Sequence, residues 1–296
     1  MSTIAFIGLG HMGGPMATNL VKAGHAVRGF DLAAASLDHA REHGVSTVAS
    51  VAEAVSGAGI VITMLPAGAH VLSVWQELVA VVPPGTLLID CSTIDMDSAR
   101  KAHALAVAHG CPALDAPVSG GTGGASAGTL TFMVGGDAAV FAGAKALFEA
   151  MGRKVIHCGG ASAGQAAKVC NNMILGISMI AVSEAFVLGE RLGLSHQALF
   201  DVASVSSGQC WSLTTYCPVP GPVPASPANH GYEPGFAAAL MLKDLKLSQA
   251  AAADAGALTP LGAAAAALYQ QFADEGFAGK DFSAIITLLR DRTDTR

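Results

Sequence analysis

Residues 3–8 form a short apolar run, Thr3-Ile-Ala-Phe-Ile-Gly8, the pattern of a strand buried on both faces. The run stops in Gly8-Leu9-Gly10-His11-Met12-Gly13, and a helical pattern follows from Pro15 to Ala23, closed by Gly24. His25 to Phe30 predicts a second strand, ended by Asp31. The alternation then repeats: a strand over 60–65 stopped by Pro66, a helix over 69–82, a Pro83-Pro84-Gly85 turn and a strand over 87–90. Further strands are expected over 114–116, 129–134 and 154–157.

The second half changes character. From Gly164 to about Leu192 there is no proline and few polar residues, which predicts one helix about 40 Å long. It is apolar nearly all round, which implies burial on several sides. Helical patterns recur over 195–204, 243–255, 260–275 and 282–290. The expected architecture is an α/β Rossmann domain with a mostly parallel, doubly wound sheet over 1–163. The long helix joins it to an all-helical domain for substrate binding and oligomerisation over 164–296.

Composition narrows the class. The chain is 52% hydrophobic and 13% charged, which suits buried parallel strands and closely packed helices. Its net charge of -6, without basic runs, argues against a nucleic-acid partner. Six scattered cysteines without a CxxC pair fit reduced thiols. There is no leader pattern before Thr3, and Pro66, Pro83, Asn172, Glu184 and Pro260 interrupt the apolar runs. A soluble, cytoplasmic protein with no membrane span is expected.

The glycine motif carries the first chemistry. Gly8 allows a tight turn, Gly10 lets the backbone approach a pyrophosphate, and Gly13 lets helix pack on strand. The helix N-terminus then receives the negative charge. Asp31, at the end of the next strand, is placed to accept hydrogen bonds from the adenosine ribose and to repel a 2′-phosphate. No arginine follows it in Leu32-Ala-Ala-Ala35, so NAD is expected over NADP. Leu65, Pro66 and Thr93 follow the carboxyl ends of strands and are placed toward the nicotinamide. Ser119, Gly120 and Gly121 offer donors for a substrate carboxylate, a plain glycine-rich turn being the alternative.

Lys168 and Asn172 lie i, i+4 on one helix face among apolar neighbours. A lysine so placed is expected to lose affinity for its proton and serve as a base. The alternative is a lysine whose stem lies on the core while its ammonium reaches water. Between Ser206 and Gly235 runs a proline-rich loop with Trp211, Tyr216 and Tyr232, followed by Phe236. It reads as a cover over the site, or as a packing loop of a dimer interface. His39 and His43 stand i, i+4 beside Glu42, a spacing able to bind metal. The surrounding helix reads as a solvated face, and no metal is expected.

Taken together, Gly8-Leu-Gly10-His-Met-Gly13-Gly-Pro-Met16, Met64-Leu-Pro66, Asp90-Cys-Ser-Thr93, Asp115-Ala-Pro-Val-Ser119-Gly-Gly121 and Gly164-Gln-Ala-Ala-Lys168-Val-Cys-Asn171-Asn172 resemble the β-hydroxyacid dehydrogenase family over essentially the whole chain. Trp211 to Pro218, Gly231-Tyr232, Gly235-Phe236 and Leu240 to Asp244 resemble in particular its members that act on 3-hydroxyisobutyrate. The resemblance implies NAD-dependent oxidation of that acid to methylmalonate semialdehyde in valine breakdown, by a homodimer or homotetramer. It implies Lys168 as the catalytic lysine. Ser119, Gly120, Gly121, Asn172 and Trp211 would meet a small 3-hydroxy acid, and Leu65, Pro66, Thr93, Phe236 and Lys243 the nicotinamide end of NAD. His11 departs from the asparagine common in that glycine loop. Two alternatives stay open: a reductase of another small semialdehyde such as tartronate semialdehyde, and a non-catalytic dinucleotide-binding module. Imine reductases on this scaffold generally lack the lysine, and Lys168 argues against them.

Overall fold

The computed structural model describes residues 2–294. The chain divides into two compact units, Met1–Lys168 and Val169–Arg296.

In the first unit, strands β1 (Thr3–Ile7), β2 (Ala26–Phe30), β3 (Ser46–Thr47), β4 (Ile60–Thr63), β5 (Leu87–Asp90), β6 (Ala113–Asp115), β7 (Val118–Ser119), β8 (Leu130–Gly136) and β9 (Gly152–Gly159) form one sheet. Its order is β3-β2-β1-β4-β5-β6-β8-β7, with β9 paired to β8. The pairs from β3 through β6 are parallel, whereas β8 runs antiparallel to β6 and β7. The helices are α1 (Gly13–Lys22), α2 (Ala34–Glu42), α3 (Val51–Val55), α4 (Gly68–Val81), α5 (Met96–Ala108), α6 (Gly121–Ala127) and α7 (Ala138–Met151).

Alternation along each strand builds two cores, one per face of the sheet. Ile4, Phe6, Ile62, Ile89 and Leu114 belong to one, with Met16 and Leu20 of α1. Ala5, Ile7, Val61, Leu88 and Ala113 belong to the other, with Trp75 and Leu78 of α4. Each strand therefore carries apolar residues at successive positions, which is why the sequence shows runs instead of alternation. Burying one such large side chain contributes roughly 1.5–3 kcal/mol.

Helix α8 (Ala163–Arg191), 29 residues long, starts in the first unit and continues through the second. The second unit adds α9 (His196–Ala203), α10 (Trp211–Thr214), α11 (Ala238–Asp254), α12 (Pro260–Phe272) and α13 (Ile285–Asp294), with 3-10 turns at Pro227–His230 and Phe282–Ala284. Met179 and Ile180 of α8 pack with Met241, Leu245, Tyr269 and Phe282. Val182, Phe186 and Val187 pack with Leu213, Val219 and Ile286.

One expectation needs correction. Helix α8 does contain an 18-residue window apolar enough to cross a membrane, with mean hydropathy 1.7. Asn172 and Glu184 interrupt the run in sequence, but a helix of this length averages over them. Half of that window is buried inside the protein, as in the core helix of a globular unit. The helix is buried on the sides that face its own units, and Ile174, Ala181, Ala185 and Leu188 are exposed along one stripe.

Candidate active site

The glycine loop is shaped by contacts that no side chain would permit. Gly8 has φ +96°, and a Cβ there would fall 2.2 Å from the Met64 carbonyl oxygen. A Cβ on Gly13 would fall 1.9 Å from the Gly8 carbonyl oxygen. Around Gly10, by contrast, nothing lies within 4 Å of a Cβ position. The first two glycines thus fold the loop, and the third leaves an open edge on it. No side chain caps α1 and no acid occupies its first turn. Its backbone N–H groups and positive dipole end therefore suit an anionic ligand.

Asp31 holds this loop directly. Its Oδ2 accepts from the Leu9 N–H at 2.7 Å and its Oδ1 from the Ala33 N–H at 2.8 Å. Each carboxylate oxygen keeps a lone pair for a further donor. Glycine loop, uncapped helix and carboxylate together fit a dinucleotide.

Asp90 lies at the carboxyl end of β5, buried with Thr63 and Ser92. Its Oδ1 accepts from the Thr63 hydroxyl at 2.7 Å and the Ser92 hydroxyl at 2.6 Å. Ser92 Oγ in turn accepts from the Leu65 N–H at 2.8 Å. Burial pushes the Asp90 carboxyl up to about 6, against the opposing hydrogen bonds from Ser92 and Thr63. Because the folded value lies above the unfolded one, the native state binds more protons between about pH 4 and 6. This contribution to stability is present at low pH and lost as pH rises through about 6. It amounts to about 3 kcal/mol, an upper value because the carboxyl is fully desolvated. Asp90→Asn should therefore gain stability relative to the parent between pH 4.5 and 7.5, measured by urea unfolding. A pH-independent difference would contradict the assignment.

Asp115, at the end of β6, caps the start of α8. Its Oδ1 accepts from the Ser162 N–H and its Oδ2 from the Gln165 N–H, both at 2.8 Å. Gln165 is fully buried; its amide donates to the Ser92 carbonyl at 2.6 Å and accepts from the Ile94 N–H at 3.2 Å. Lys168, one turn further on, is buried at 6% exposure. Ser119 ends β7, Gly120 has φ +137° and Gly121 φ +62°, a backbone that glycine adopts without strain. The first unit thus holds Gly8 to Gly13, Asp31, Leu65, Pro66, Thr93, Ser119 to Gly121 and Lys168.

The second unit holds Asn172, Trp211, Phe236 and Lys243. The Asn172 amide donates to Asp244 Oδ2 at 2.5 Å and its oxygen accepts from Asn171 at 2.9 Å. Lys243 Nζ lies 3.5 Å from Asp244 Oδ1, too far for a hydrogen bond but within Coulombic reach. Trp211, half exposed, stacks on Tyr216 with ring centroids 4.9 Å apart. The Tyr216 hydroxyl donates to Asp281 Oδ2 at 2.9 Å, and the same oxygen accepts from the Gly235 and Phe236 N–H groups. Burial, then the Asp281 charge, pushes the Tyr216 phenol up, so it remains a donor. One buried aspartate therefore ties Tyr216, inside the aromatic loop, to the loop's end at Gly235 and Phe236. Sequence reasoning missed Asp115, Gln165, Asp244 and Asp281 as organising residues. For Gln165 and Asp244 the signal was adjacency to Lys168 and Lys243; for Asp281 there was none.

His39 and Glu42 of α2 and His43, which follows it, are exposed, their candidate ligand atoms within 4.8 Å of one another.

Two family descriptions match the chain: the NAD-binding domain of 6-phosphogluconate dehydrogenase over residues 3–160, and the NAD-binding domain of NADP-dependent 3-hydroxyisobutyrate dehydrogenase over 162–289. A 3-hydroxyisobutyrate dehydrogenase of Pseudomonas aeruginosa is 49% identical, covering 99% of this chain and 100% of its own. An NAD-dependent L-serine dehydrogenase of the same organism is 50% identical, covering 98% of each chain. A solved 3-hydroxyisobutyrate dehydrogenase of Mycobacterium tuberculosis, with L-serine, superposes with a TM-score of 0.95 at 56% identity, covering 98% of this chain and 99% of that one. The matches span both units, from the glycine loop through the lysine helix, and the chain belongs to the 3-hydroxyisobutyrate dehydrogenase family of NAD-dependent oxidoreductases.

Proposed function

We propose that the protein oxidises 3-hydroxyisobutyrate to methylmalonate semialdehyde, in valine catabolism, with Lys168 as general base. The observation that carries this reading is a buried lysine on a helix whose first turn is tied to the loop around Thr93. The glycine loop and the α1 N-terminus would hold the pyrophosphate of the dinucleotide, and Asp31 its ribose. When bound, NAD accepts the hydride leaving the carbinol carbon. Lys168 Nζ takes the hydroxyl proton as the C–H bond breaks and the carbonyl forms. Asn172, whose amide oxygen is occupied by Asn171, keeps an N–H to orient the substrate oxygen. The Ser119 hydroxyl and the backbone of Gly120 and Gly121 receive the substrate carboxylate. The family resemblance assigns Leu65, Pro66, Thr93, Phe236 and Lys243 to the nicotinamide end and Trp211 to the substrate. General base action supplies on the order of 10²–10⁴ in rate.

A second reading is oxidation of L-serine, supported by the serine dehydrogenase relative and the serine-bound solved structure. Initial rates at 340 nm with NAD decide between them. The first reading expects the highest kcat/KM with 3-hydroxyisobutyrate; a higher value with L-serine would establish the second.

NAD is favoured over NADP because Asp31 would repel a 2′-phosphate. Asp31→Ala should raise the KM for NAD by about tenfold and narrow the NAD/NADP preference, the lost charge-assisted bond contributing about 1.5 kcal/mol. An unchanged preference would remove Asp31 from ribose recognition.

The protein is further read as a cytoplasmic homodimer or homotetramer. All six cysteines are free thiols, which supports a reducing compartment. Ile174, Ala181, Ala185, Leu188 and Leu192 repeat at heptad spacing on the exposed face of α8 and just beyond it, with Ile174, Leu188 and Leu192 at 64%, 60% and 71% exposure. Leu188→Glu should lower the mass measured by light scattering by at least half. An unchanged mass would place the subunit contact elsewhere.

A further inference from the structure

We propose that Gln165 is a positioning residue that locks the helix of Lys168 to the loop of Thr93, so that proton acceptor and nicotinamide wall keep one spacing. The inference rests on the reading of Lys168 as the base. The geometry is a two-point clamp. The Gln165 side chain donates to the carbonyl of Ser92 and accepts from the N–H of Ile94, the peptide groups that bracket Thr93. Both bonds go to the backbone, so the clamp fixes the loop without engaging the Thr93 side chain. Ser92 extends the connection, because its hydroxyl accepts from the Leu65 N–H at 2.8 Å. A continuous run of hydrogen bonds thus leads from the Leu65 backbone through Ser92 to Gln165. Three residues on, at i, i+3 on the same helix face, stands Lys168.

The base of the clamp is over-determined. Asp115 anchors the helix start through the Ser162 and Gln165 N–H groups. Ser162 has φ +67°, a left-handed conformation that a serine holds only when its surroundings enforce it. A Cβ on Gly164 would lie 2.3 Å from the Met133 carbonyl oxygen, and one on Gly135 would lie 2.6 Å from the Gly164 nitrogen. The helix start is thereby pressed onto β8 with no room to slide. A capping role alone needs only Asp115 and the backbone. The buried Gln165 amide adds nothing to the cap; its two bonds go to another loop.

Gln165→Leu removes both bonds, and Gln165→Glu keeps them only while the introduced carboxyl is protonated. Once ionised, that carboxylate would face the Ser92 carbonyl oxygen, with Asp115 already bonded to the backbone N–H of the same residue, Asp90 and His103 within Coulombic reach of Asp115, and Lys168 one turn along the helix. We expect Gln165→Leu to lower kcat about 10- to 100-fold, the scale of an ångström misplacement, with the Kd for NAD changed only a few-fold. For Gln165→Glu, the ratio of its kcat to that of the parent should be near one at pH 6 and fall about tenfold by pH 9. This readout stands if Gln165→Leu does not fold. A flat ratio overturns the clamp. So does a ratio rising with pH, which would mark only a charge effect of the introduced carboxylate on Lys168. Lys168→Ala, measured alongside, separates the failures: parent-like turnover there overturns the base, whereas its collapse beside an unaffected Gln165→Leu overturns only the clamp.

Discussion

Lys168→Ala should lower kcat by about 10²–10⁴ while leaving the Kd for NAD within a few-fold. The asymmetry follows from where the amine sits. The glycine loop and Asp31, proposed above to hold the dinucleotide, are tied to each other by the Leu9 N–H bond to Asp31 and lie on elements other than α8. Lys168 lies instead past the first turn of α8, buried, where keeping an ammonium costs desolvation. Removing it deletes the proton acceptor without touching the dinucleotide's anchor. Lys168→Arg should be no better than alanine, because guanidinium does not release its proton near neutral pH. Stopped-flow reduction of NAD with saturating substrate checks both. Turnover within threefold of the parent in Lys168→Ala would mean that another group takes the proton.

Gly13→Ala should abolish measurable NAD binding and destabilise the protein by about 3 kcal/mol, at the upper end for an overpacked core. A methyl group 1.9 Å from the Gly8 carbonyl oxygen cannot be accommodated by rotating a side chain. The start of α1 would have to lift away from the end of β1, carrying the phosphate-facing N–H groups with it. Gly10→Ala supplies the contrast. Its methyl meets nothing within 4 Å, so the variant should unfold like the parent yet bind NAD more weakly, since the backbone edge left for the pyrophosphate is then covered. Urea unfolding and fluorescence titration with the nucleotide separate the two variants. Equal NAD affinity in the parent and Gly13→Ala would contradict the tight loop.

The first unit was legible because each strand of its centre is buried on both faces and each turn uses a residue with one physical purpose. Ile4 to Ile7 could be read as a strand from four apolar residues, and Gly8 as the turn that follows. Strands β3 and β7 escaped because two residues, Ser46–Thr47 or Val118–Ser119, carry no period. The antiparallel placement of β8 escaped because strand direction depends on the connection, not on the apolar pattern. Among the helices, α11 begins at Ala238, five residues before the expected Lys243, since Ala, Leu and Met continue the helix without a cap to mark its start.

Site chemistry divided in the same way. Residues that act through type and spacing, such as Gly8, Gly13, Asp31 and Lys168, stand out in one dimension. Residues that act through a partner far along the chain do not: Gln165 bonds to Ser92 and Ile94, and Asp281 bonds to Tyr216, Gly235 and Phe236. A buried glutamine beside a lysine motif has no sequence pattern that names its partner. The metal-like spacing of His39 and His43 shows the reverse case, a pattern that is visible in sequence and gathered in space but lies on an exposed helix.

The claim that the Lys168 amine accepts the alcohol's proton is tested most directly by restoring an amine to the truncated site. Turnover of 3-hydroxyisobutyrate by Lys168→Ala should be low in plain buffer. It should rise in proportion to added methylamine and be faster with more basic amines of the same size, while the parent is unaffected. Turnover by Lys168→Ala near the parent's without any amine would contradict the account.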